Sequence, residues 1–326
     1  MPYLYLDREQ AASIFIAALA RLARRSTLCL FAVVAALSAC DSPTQPLRDA
    51  RGLLLVVRGT GRAAEIVVMR PDGSERRQLT DNAVMDVAPA WSPDGRRIVF
   101  VRAQDSIAGY PQRRPDIYVM NADGSGARRL FESSVAAGAP QWSPDGQRII
   151  FEQPDPASGG FQLYVMNVDG SNVRRLSSGP PENFGADWSH DGARVLFLSN
   201  RSPRYWWTMY VMNADGSGER QLAGDEACVS NASGARWSPD DAVIAYSCDA
   251  DYSGALWIIG ADGTNPVRLT TPGAEPVWSP DGKQIAFVST RDGPYSLYIL
   301  ERPSGAVTRL TGDTVPTIPS SWGGGQ

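Results

Sequence analysis

Short apolar runs alternate with polar turns along the whole chain after about residue 52. Five of these runs are apolar at almost every position: Ile98–Val101, Ile149–Phe151, Val195–Leu198, Val243–Tyr246 and Ile285–Val288. A strand that is apolar on both faces is covered on both faces in the folded protein. Because no helical period follows the N-terminal region, the pattern predicts an all-β protein built from short, buried strands.

Two turn sequences recur between these strands. The first reads Trp-Ser-Pro-Asp-Gly or a close variant, and it begins at Trp91, Trp142, Trp188, Trp237 and Trp278, with a partial sixth copy at Trp322. Successive Trp residues lie 51, 46, 49, 41 and 44 positions apart, a period typical of propellers and solenoids. The second reads Asn-Ala-Asp-Gly-Ser or similar, as at Asn121, Asn167 and Asn213. Pro fixes φ in the first turn, and Gly accepts positive φ in both, so each predicts a tight hairpin.

Each repeat therefore predicts four strands, which we call A to D from axis to rim. Strand A carries the Trp, B is the apolar run, C is a second apolar run, and D is short and basic, as at Arg128–Leu130. Charge suits an exposed sheet edge. Six repeats predict a six-bladed β-propeller of four-stranded blades.

The phase of the repeat predicts how the ring closes. The chain enters on a B strand at residues 53–57 and ends on an A strand at residues 318–322. We therefore expect the C-terminal strand to pair with the first blade as its innermost strand, which removes an open sheet edge. An open solenoid is the alternative, but it does not account for the missing first A strand and the extra last one.

The two turn sequences, together with Arg-Arg-Leu in strand D, resemble the propeller repeat of the TolB family over residues 52–322. The resemblance implies an envelope protein, because TolB is a periplasmic, protein-binding propeller of the Tol-Pal system. The α/β domain that precedes the propeller in that family is not expected here, because only eleven residues separate Cys40 from Gly52.

The first 39 residues predict an export signal, residues 40–51 a tether, and residues 52–326 the propeller. Arg24 and Arg25 precede a short apolar run from Leu28 to Leu37, followed by Ser-Ala-Cys40, and this run is too short to span a bilayer. Leu37-Ser-Ala-Cys40 resembles the bacterial lipobox, which implies lipid attachment at Cys40 and a chain that faces the periplasm or the cell exterior. A plain secretory signal is the alternative.

The mature chain keeps two further cysteines, Cys228 and Cys248, since Cys29 leaves with the signal. In the blade map both lie on the same rim of the ring, and an exported compartment is oxidising. This predicts a disulfide between them, with two unpaired, packed thiols as the alternative.

Charge and chemistry argue against several functions. The whole chain has a net charge of -4, and residues 41–326 hold 27 basic and 33 acidic residues, so a nucleic-acid footprint is not expected. The single histidine, His190, replaces Pro in a repeat turn, whereas a hydrolase triad needs a His base. We expect no enzyme activity, no cofactor and no metal, with calcium at Asp249 and Asp251 as the alternative.

The B-to-C loops predict the partner-binding surface, because they concentrate the side chains typical of interface hot spots. The candidates are Tyr110, Arg113 and Arg114 in the second blade, between Arg102 and Asp116; Tyr205, Trp206 and Trp207 in the fourth; and Tyr252 in the fifth. The prediction is a monomeric, membrane-tethered, non-enzymatic scaffold that binds an envelope protein or peptide. Carbohydrate or small-ligand binding by the same aromatics is the alternative, and each ring of residues 205–207 has packing between blades as its own alternative.

Overall fold

The propeller is built from 24 strands in six antiparallel, four-stranded sheets. A computed structural model describes residues 51–324, except 104–114, 133–134, 136, 157–158, 180–181, 202–206, 223–231, 249–253, 294 and 313. Each sheet is one blade, and its strands follow the predicted A-to-D order. The predicted all-β, six-bladed propeller is confirmed.

The strand bounds are as follows. Blade 1 begins with β1 (Leu54–Arg58), β2 (Glu65–Met69) and β3 (Arg77–Gln78), with a 3₁₀ turn at Gly61–Ala63. Blade 2 has β4 (Met85–Trp91), β5 (Arg97–Ala103), β6 (Pro115–Asn121) and β7 (Arg128–Phe131). Blade 3 has β8 (Gly138–Trp142), β9 (Arg148–Pro154), β10 (Phe161–Asn167) and β11 (Arg174–Arg175). Blade 4 has β12 (Asn183–Trp188), β13 (Arg194–Ser199), β14 (Thr208–Asn213) and β15 (Arg220–Gln221). Blade 5 has β16 (Ala232–Trp237), β17 (Val243–Cys248), β18 (Ala255–Gly260) and β19 (Val267–Thr270). Blade 6 has β20 (Ala274–Trp278), β21 (Gln284–Ser289), β22 (Ser296–Glu301) and β23 (Val307–Arg309), and β24 (Thr317–Trp322) completes blade 1.

The ring closes through β24, as the repeat phase predicts. This last strand pairs with β1, placing Trp322 opposite Leu54 and Thr317 opposite Arg58. Gly52 N–H donates to the carbonyl of Gly323 (2.8 Å), which continues the pairing beyond the strand. The A strands also contact one another in sequence around the axis, from β24 through β4, β8, β12, β16 and β20 back to β24.

The apolar core lies between blades. The described residues form six buried apolar clusters, and each combines residues of two neighbouring blades, one cluster for each seam of the ring. Every seam holds one repeat Trp, and these six rings are only 1–9% exposed. The Trp is therefore the side chain by which each blade is sealed to the one before it.

Arginines at the start of three B strands cover the Trp of the following blade. The guanidinium carbon of Arg97 lies 4.7 Å from the Trp142 ring centre, and Arg194 lies 4.5 Å from that of Trp237. Such cation–π contacts add about 0.5–2 kcal/mol each, depending on how far they are removed from water.

The first turn sequence is held by its own Ser and Asp side chains. In blade 6, the Ser279 hydroxyl donates to Asp281 Oδ1 (2.7 Å) and accepts from Gln284 N–H (2.8 Å). The hydrogen bond from Ser279 lowers the pKa of Asp281 from its ordinary value, because it stabilises the carboxylate. The carboxylate of the repeated Asp therefore accepts hydrogen bonds within its own turn.

The Gly of the second turn sequence has a further role at the outer rim. Gly124 has φ +87°, and a Cβ added there would lie 2.6 Å from the carbonyl oxygen of Leu79 in blade 1. Gly73 is held in the same way against Leu310 of blade 6, at 3.0 Å. Glycine therefore permits both the turn conformation and the close approach of the preceding blade in the ring.

The fourth and fifth blades are joined by an exception to the repeat. Asp241 replaces the turn Gly, and its carboxylate accepts from the N–H groups of His190 (2.7 Å) and Asp191 (2.9 Å). Proline has no N–H, so this contact requires the change from Pro to His at position 190. In the neighbouring seam, where the repeat is intact, a Cβ added at Gly282 would meet the Pro239 ring at 3.7 Å.

Within the described ranges, no helix is long and apolar enough to cross a bilayer. Some predicted B-to-C loops are shorter in the structure, since Phe161 lies in β10 and Ser199 in β13, and the clearest case is the second blade. Arg102 and Asp116 lie inside β5 and β6 and are paired with each other, because the sheet continues past the apolar run into polar residues.

Deleting residues 317–326 should prevent the propeller from forming a stable ring. The deletion removes β24 and Trp322, and loss of a buried Trp side chain alone costs about 3–5 kcal/mol. Thermal unfolding followed by circular dichroism measures the effect, with deletion of residues 325–326 as the control. A 317–326 deletion that unfolds at the same temperature as the parent contradicts closure by β24.

The effects of His190→Pro and Asp241→Gly on the free energy of unfolding should be coupled. His190→Pro removes one donor to Asp241, and Asp241→Gly leaves two N–H groups without this acceptor, each hydrogen bond to a charged group contributing about 1.5–3 kcal/mol. The double variant restores the ordinary Pro–Gly pair, so its loss of stability should be clearly smaller than the sum of the single losses. Urea unfolding measures the four proteins. His190→Ala keeps the N–H but removes the imidazole Nδ1, which lies 3.4 Å from Asp241 Oδ1, and therefore measures the side-chain contact separately. Additive losses contradict the coupling.

Candidate functional site: the loop face and the ring axis

The two faces of the ring differ in their connections. Because the strands of each blade are antiparallel, the A-to-B and C-to-D turns share one face, and the B-to-C and D-to-A loops share the other. We call these the turn face, which includes Ser279–Gly282, and the loop face, which includes Tyr295 and Val315. The turns repeat closely, whereas the loops differ from blade to blade, so the loop face is the candidate surface for recognition.

Most of the predicted partner-binding residues lie outside the described residues. This holds for Tyr110, Arg113, Arg114, Tyr205, Trp206 and Tyr252, and also for Cys40, Cys228, Asp249 and Asp251. What the structure describes are the strands and side chains on which these loops begin and end.

Arg102 fixes the start of the second-blade loop. Its guanidinium forms two 2.7 Å hydrogen bonds to the buried Asp86 carboxylate, and it lies over the Tyr118 ring at 5.0 Å. Asp86 also accepts from the side-chain amide of Asn82 (2.7 Å). The hydrogen bonds that Arg102 donates to the Asp86 carboxylate raise the pKa of Arg102 above its ordinary value. A planar guanidinium held at both nitrogens has little freedom to move, so the loop at 104–114 leaves from a rigid base.

Arg201 has the same position at the start of the fourth-blade loop. It donates to Glu219 (2.6 Å) and Asn183 (2.9 Å), and its guanidinium lies over the Tyr210 ring at 4.6 Å. Glu219 in turn accepts from the Ser178 hydroxyl in the preceding D-to-A connection (2.9 Å). The segment at 202–206, which carries Tyr205 and Trp206, therefore starts from a hydrogen-bonded and stacked base.

A third arginine, Arg291, lies at the start of the B-to-C loop of blade 6. It lies over Tyr298 at 5.1 Å and donates to the Thr270 hydroxyl (2.8 Å). The sequence interpretation did not identify these three loop-base arginines, Arg102, Arg201 and Arg291. Their common signal is an Arg two or four residues after the central aromatic of strand B, which is Phe100, Phe197 or Phe287.

Trp207 closes the far end of the fourth-blade loop. Its ring meets Phe184 edge-on, with centroids 4.2 Å apart, and packs against the apolar cluster between blades 4 and 5. Its carbonyl accepts from Ala232 N–H (3.0 Å) at the start of blade 5. Trp207 is thus half-buried in a seam, and a role for it in partner binding stays a prediction.

Cys248 ends β17, as predicted, and is 1% exposed. It is disulfide-bonded. Its pairing with Cys228 stays a prediction, because Cys228 lies outside the described residues.

Four charged side chains from four blades lie close enough to interact electrostatically, and three of them are on innermost strands. We call Glu152, Asp187, Arg236 and Glu275 the axial cluster; they come from β9, β12, β16 and β20. Burial raises the pKa of all three carboxyl groups, and the positive charge of Arg236 opposes this shift in each.

The axial carboxylates also join neighbouring blades. Asp187 Oδ2 accepts from Trp237 N–H (2.8 Å), and Glu152 Oε1 accepts from Gly185 N–H (2.6 Å). Glu275 sits at a positive φ of 52°, in a bulge that recurs three residues before the Trp in blades 2 to 6. A Cβ added at Gly234 would lie 3.1 Å from Glu275 Oε2, so the glycine leaves room for this carboxylate.

Chemically, the axial cluster combines three acids with one base, an excess of acidic groups that favours a cationic group over an anion. Across the described ranges, no group of three or more His, Cys, Asp or Glu residues is arranged to hold a metal ion. The sequence interpretation did not identify this cluster. For Asp187 and Arg236 a signal existed, since both directly precede a repeat Trp where other blades have Ala90, Gln141, Val277 or Ser321.

Comparison with known proteins agrees with this architecture. The model of the TolB beta propeller domain matches residues 110–275, half of the chain. The chain belongs to the TolB beta-propeller family.

Individual relatives match this TolB-family propeller over shorter segments. The Tol-Pal system protein TolB of Alcanivorax borkumensis is 41% identical over 63 residues, which are 19% of this chain and 13% of the relative. The matched segment therefore spans less than a fifth of that protein's own length.

Solved structures share the fold at low identity. The crystal structure of TolB from Acinetobacter baumannii has a TM-score of 0.68 at 19% identity, covering 82% of this chain and 66% of that one. An oligogalacturonate lyase from Vibrio parahaemolyticus has a TM-score of 0.54 at 10% identity, covering 79% and 80%. These likenesses extend to the fold alone.

The burial of Glu152 should make stability depend on pH in a defined direction. Burial raises its pKa from the ordinary 4.5 to about 7, so the folded state binds this proton more tightly than the unfolded chain does. The contribution to stability is present below about pH 4.5 and is lost as the pH rises through about 7.

Glu152→Gln keeps the acceptor for Gly185 N–H and removes the titration. The variant should be more stable than the parent at about pH 8, by on the order of 3 kcal/mol, and the difference should shrink toward about pH 4. Urea unfolding across this range is the measurement, with exposed Glu132→Gln as the control. A constant difference at every pH contradicts the assignment.

Proposed function

We propose that this chain is a membrane-tethered, non-enzymatic protein of the cell envelope, whose propeller binds a protein or peptide on its loop face. The observation that carries the proposal is the pair of rigid loop bases at Arg102 and Arg201. Each lies at the start of a loop whose sequence is rich in Tyr, Trp or Arg, and a loop base with little freedom to move lowers the entropy cost of binding.

Family membership supports the same proposal. The TolB relatives are named as proteins of the Tol-Pal system, and a propeller that serves an assembly through its loops fits that context. Export by the signal in residues 1–39, and attachment by lipid at Cys40, would place this chain in the envelope, with residues 40–51 as tether.

The axial cluster adds a preference to this surface. A partner segment that enters the ring from the loop face meets three carboxyl groups and one guanidinium, so electrostatic complementarity favours a segment with a basic residue. The tethered, monomeric ring would then act as a receptor with an aromatic rim and an acidic centre.

The test is a comparison of binding by the parent and a Tyr205→Ala/Trp206→Ala variant. Quantitative pull-down from envelope extract identifies the partner, and titration with the purified partner gives Kd. Truncating hot-spot aromatics costs about 2 kcal/mol or more, so the variant should bind about 30-fold more weakly.

Two control variants separate binding from folding. Glu75→Ala changes an exposed turn-face residue and should bind normally, and Trp207→Phe keeps an aromatic ring against Phe184. Unchanged affinity of the Tyr205→Ala/Trp206→Ala variant overturns the proposal. So does saturable binding to glycans on an array without any protein partner.

A further inference from the structure

The chain enters and leaves the ring on one face. Gly52 and Gly323 are hydrogen-bonded to each other, and Gly323 N–H donates to the Leu53 carbonyl (2.7 Å). These residues lie beside the turn-face ends of β1 and β24, since Trp322 occupies the position that precedes the turn in every other blade. The tether of residues 40–51 therefore joins the ring at the turn face.

The tether is short compared with the path to the other face. Eleven residues lie between Cys40 and Gly52, and eleven residues extend to at most about 36–40 Å. As a flexible coil they average about 20 Å. From β1 to the loop face, a chain must pass strands C and D, about 5 Å each, and then the height of the blade, about 20 Å for six residues.

This path is about 30 Å long, which is about three quarters of the extended length of the tether and well above its average as a coil, and such stretching opposes the chain's conformational entropy. With the turn face toward the lipid, the same tether remains relaxed. We propose that the anchored propeller holds its turn face toward its own bilayer and its loop face away from it. The loop face then fits a partner that approaches from the side opposite the anchoring membrane, either soluble or fixed to another envelope layer.

This inference rests on the lipid anchor and the loop-face binding of the proposed function, and it is tested separately from them. Blade 6 offers a matched pair of labelling sites, one directly before β21 and one directly before β22. Lys283 lies on the turn face with its side chain 76% exposed, and Tyr295 lies on the loop face and is 38% exposed.

The experiment uses the full lipidated chain, purified from membranes and reconstituted into phosphatidylcholine vesicles that contain a headgroup-labelled acceptor lipid. p-Azidophenylalanine at position 283 or at position 295 carries the donor dye, which avoids the native cysteines. Energy transfer to the lipid should be clearly stronger from position 283 than from position 295. Inserting thirty Gly and Ser residues between Arg51 and Gly52 should reduce this difference, because a longer tether permits other orientations.

Equal transfer from the two positions, or stronger transfer from position 295, overturns the orientation and leaves loop-face binding intact. A chain that carries no lipid at Cys40 by mass spectrometry overturns both this inference and the anchor in the proposed function. A partner identified by pull-down should bind the vesicle-anchored and the detergent-solubilised protein with the same Kd. Loss of that binding on anchoring contradicts an outward loop face, whereas an unchanged affinity of the Tyr205→Ala/Trp206→Ala variant contradicts only the proposed binding site.

Discussion

The structure depends on covering B strands that are apolar on both faces. In an isolated blade, B-strand side chains such as Ile98 and Phe100 would face water. Packing against the neighbouring blade buries them. Burial of apolar surface contributes roughly 25 cal/mol per Å², so each of the six seams is a separate hydrophobic contribution. The ring has no end at which such a seam stays open, because β24 completes the first blade. Closure by β24 therefore completes the core at the seam between blades 6 and 1.

The local structure could be predicted because its causes are local. Pro, Asp and Gly in the turns act through their own backbone conformation, and alternating runs define the strands, so the blades and the pairing of β24 with β1 follow from the sequence. The close approach of Gly124 to Leu79 could not be predicted in this way. Positive φ already explains that glycine, and its contact lies one blade away, where no sequence pattern points.

The candidate site was predicted only in part, for the same reason. The aromatic loops are visible as composition, but Arg102 and Arg201 are effective through partners in other strands, such as Asp86 and Glu219. Glu152 lies in strand B, where nothing in its neighbours in the sequence marks it as axial. Asp187 and Arg236 were within reach, because an aligned repeat shows a charged residue directly before the Trp where others have small, neutral or amide side chains. Comparing equivalent positions between repeats is more informative here than searching for known motifs.

Departures from the repeat concentrate at the seam between blades 4 and 5. Asp187 accepts from Trp237 N–H, Asp241 accepts from two N–H groups of the opposite turn, and Trp207 packs across the same seam near the loop face. Each contact adds a polar or aromatic connection that the other seams make differently or not at all in the described residues. If the loop with Tyr205 and Trp206 binds a partner, as proposed, a rigid base for that loop lowers the entropy cost of binding. The reinforcement of this seam, from turn face to loop face, supports the proposal that the aromatic loop beside it binds a partner.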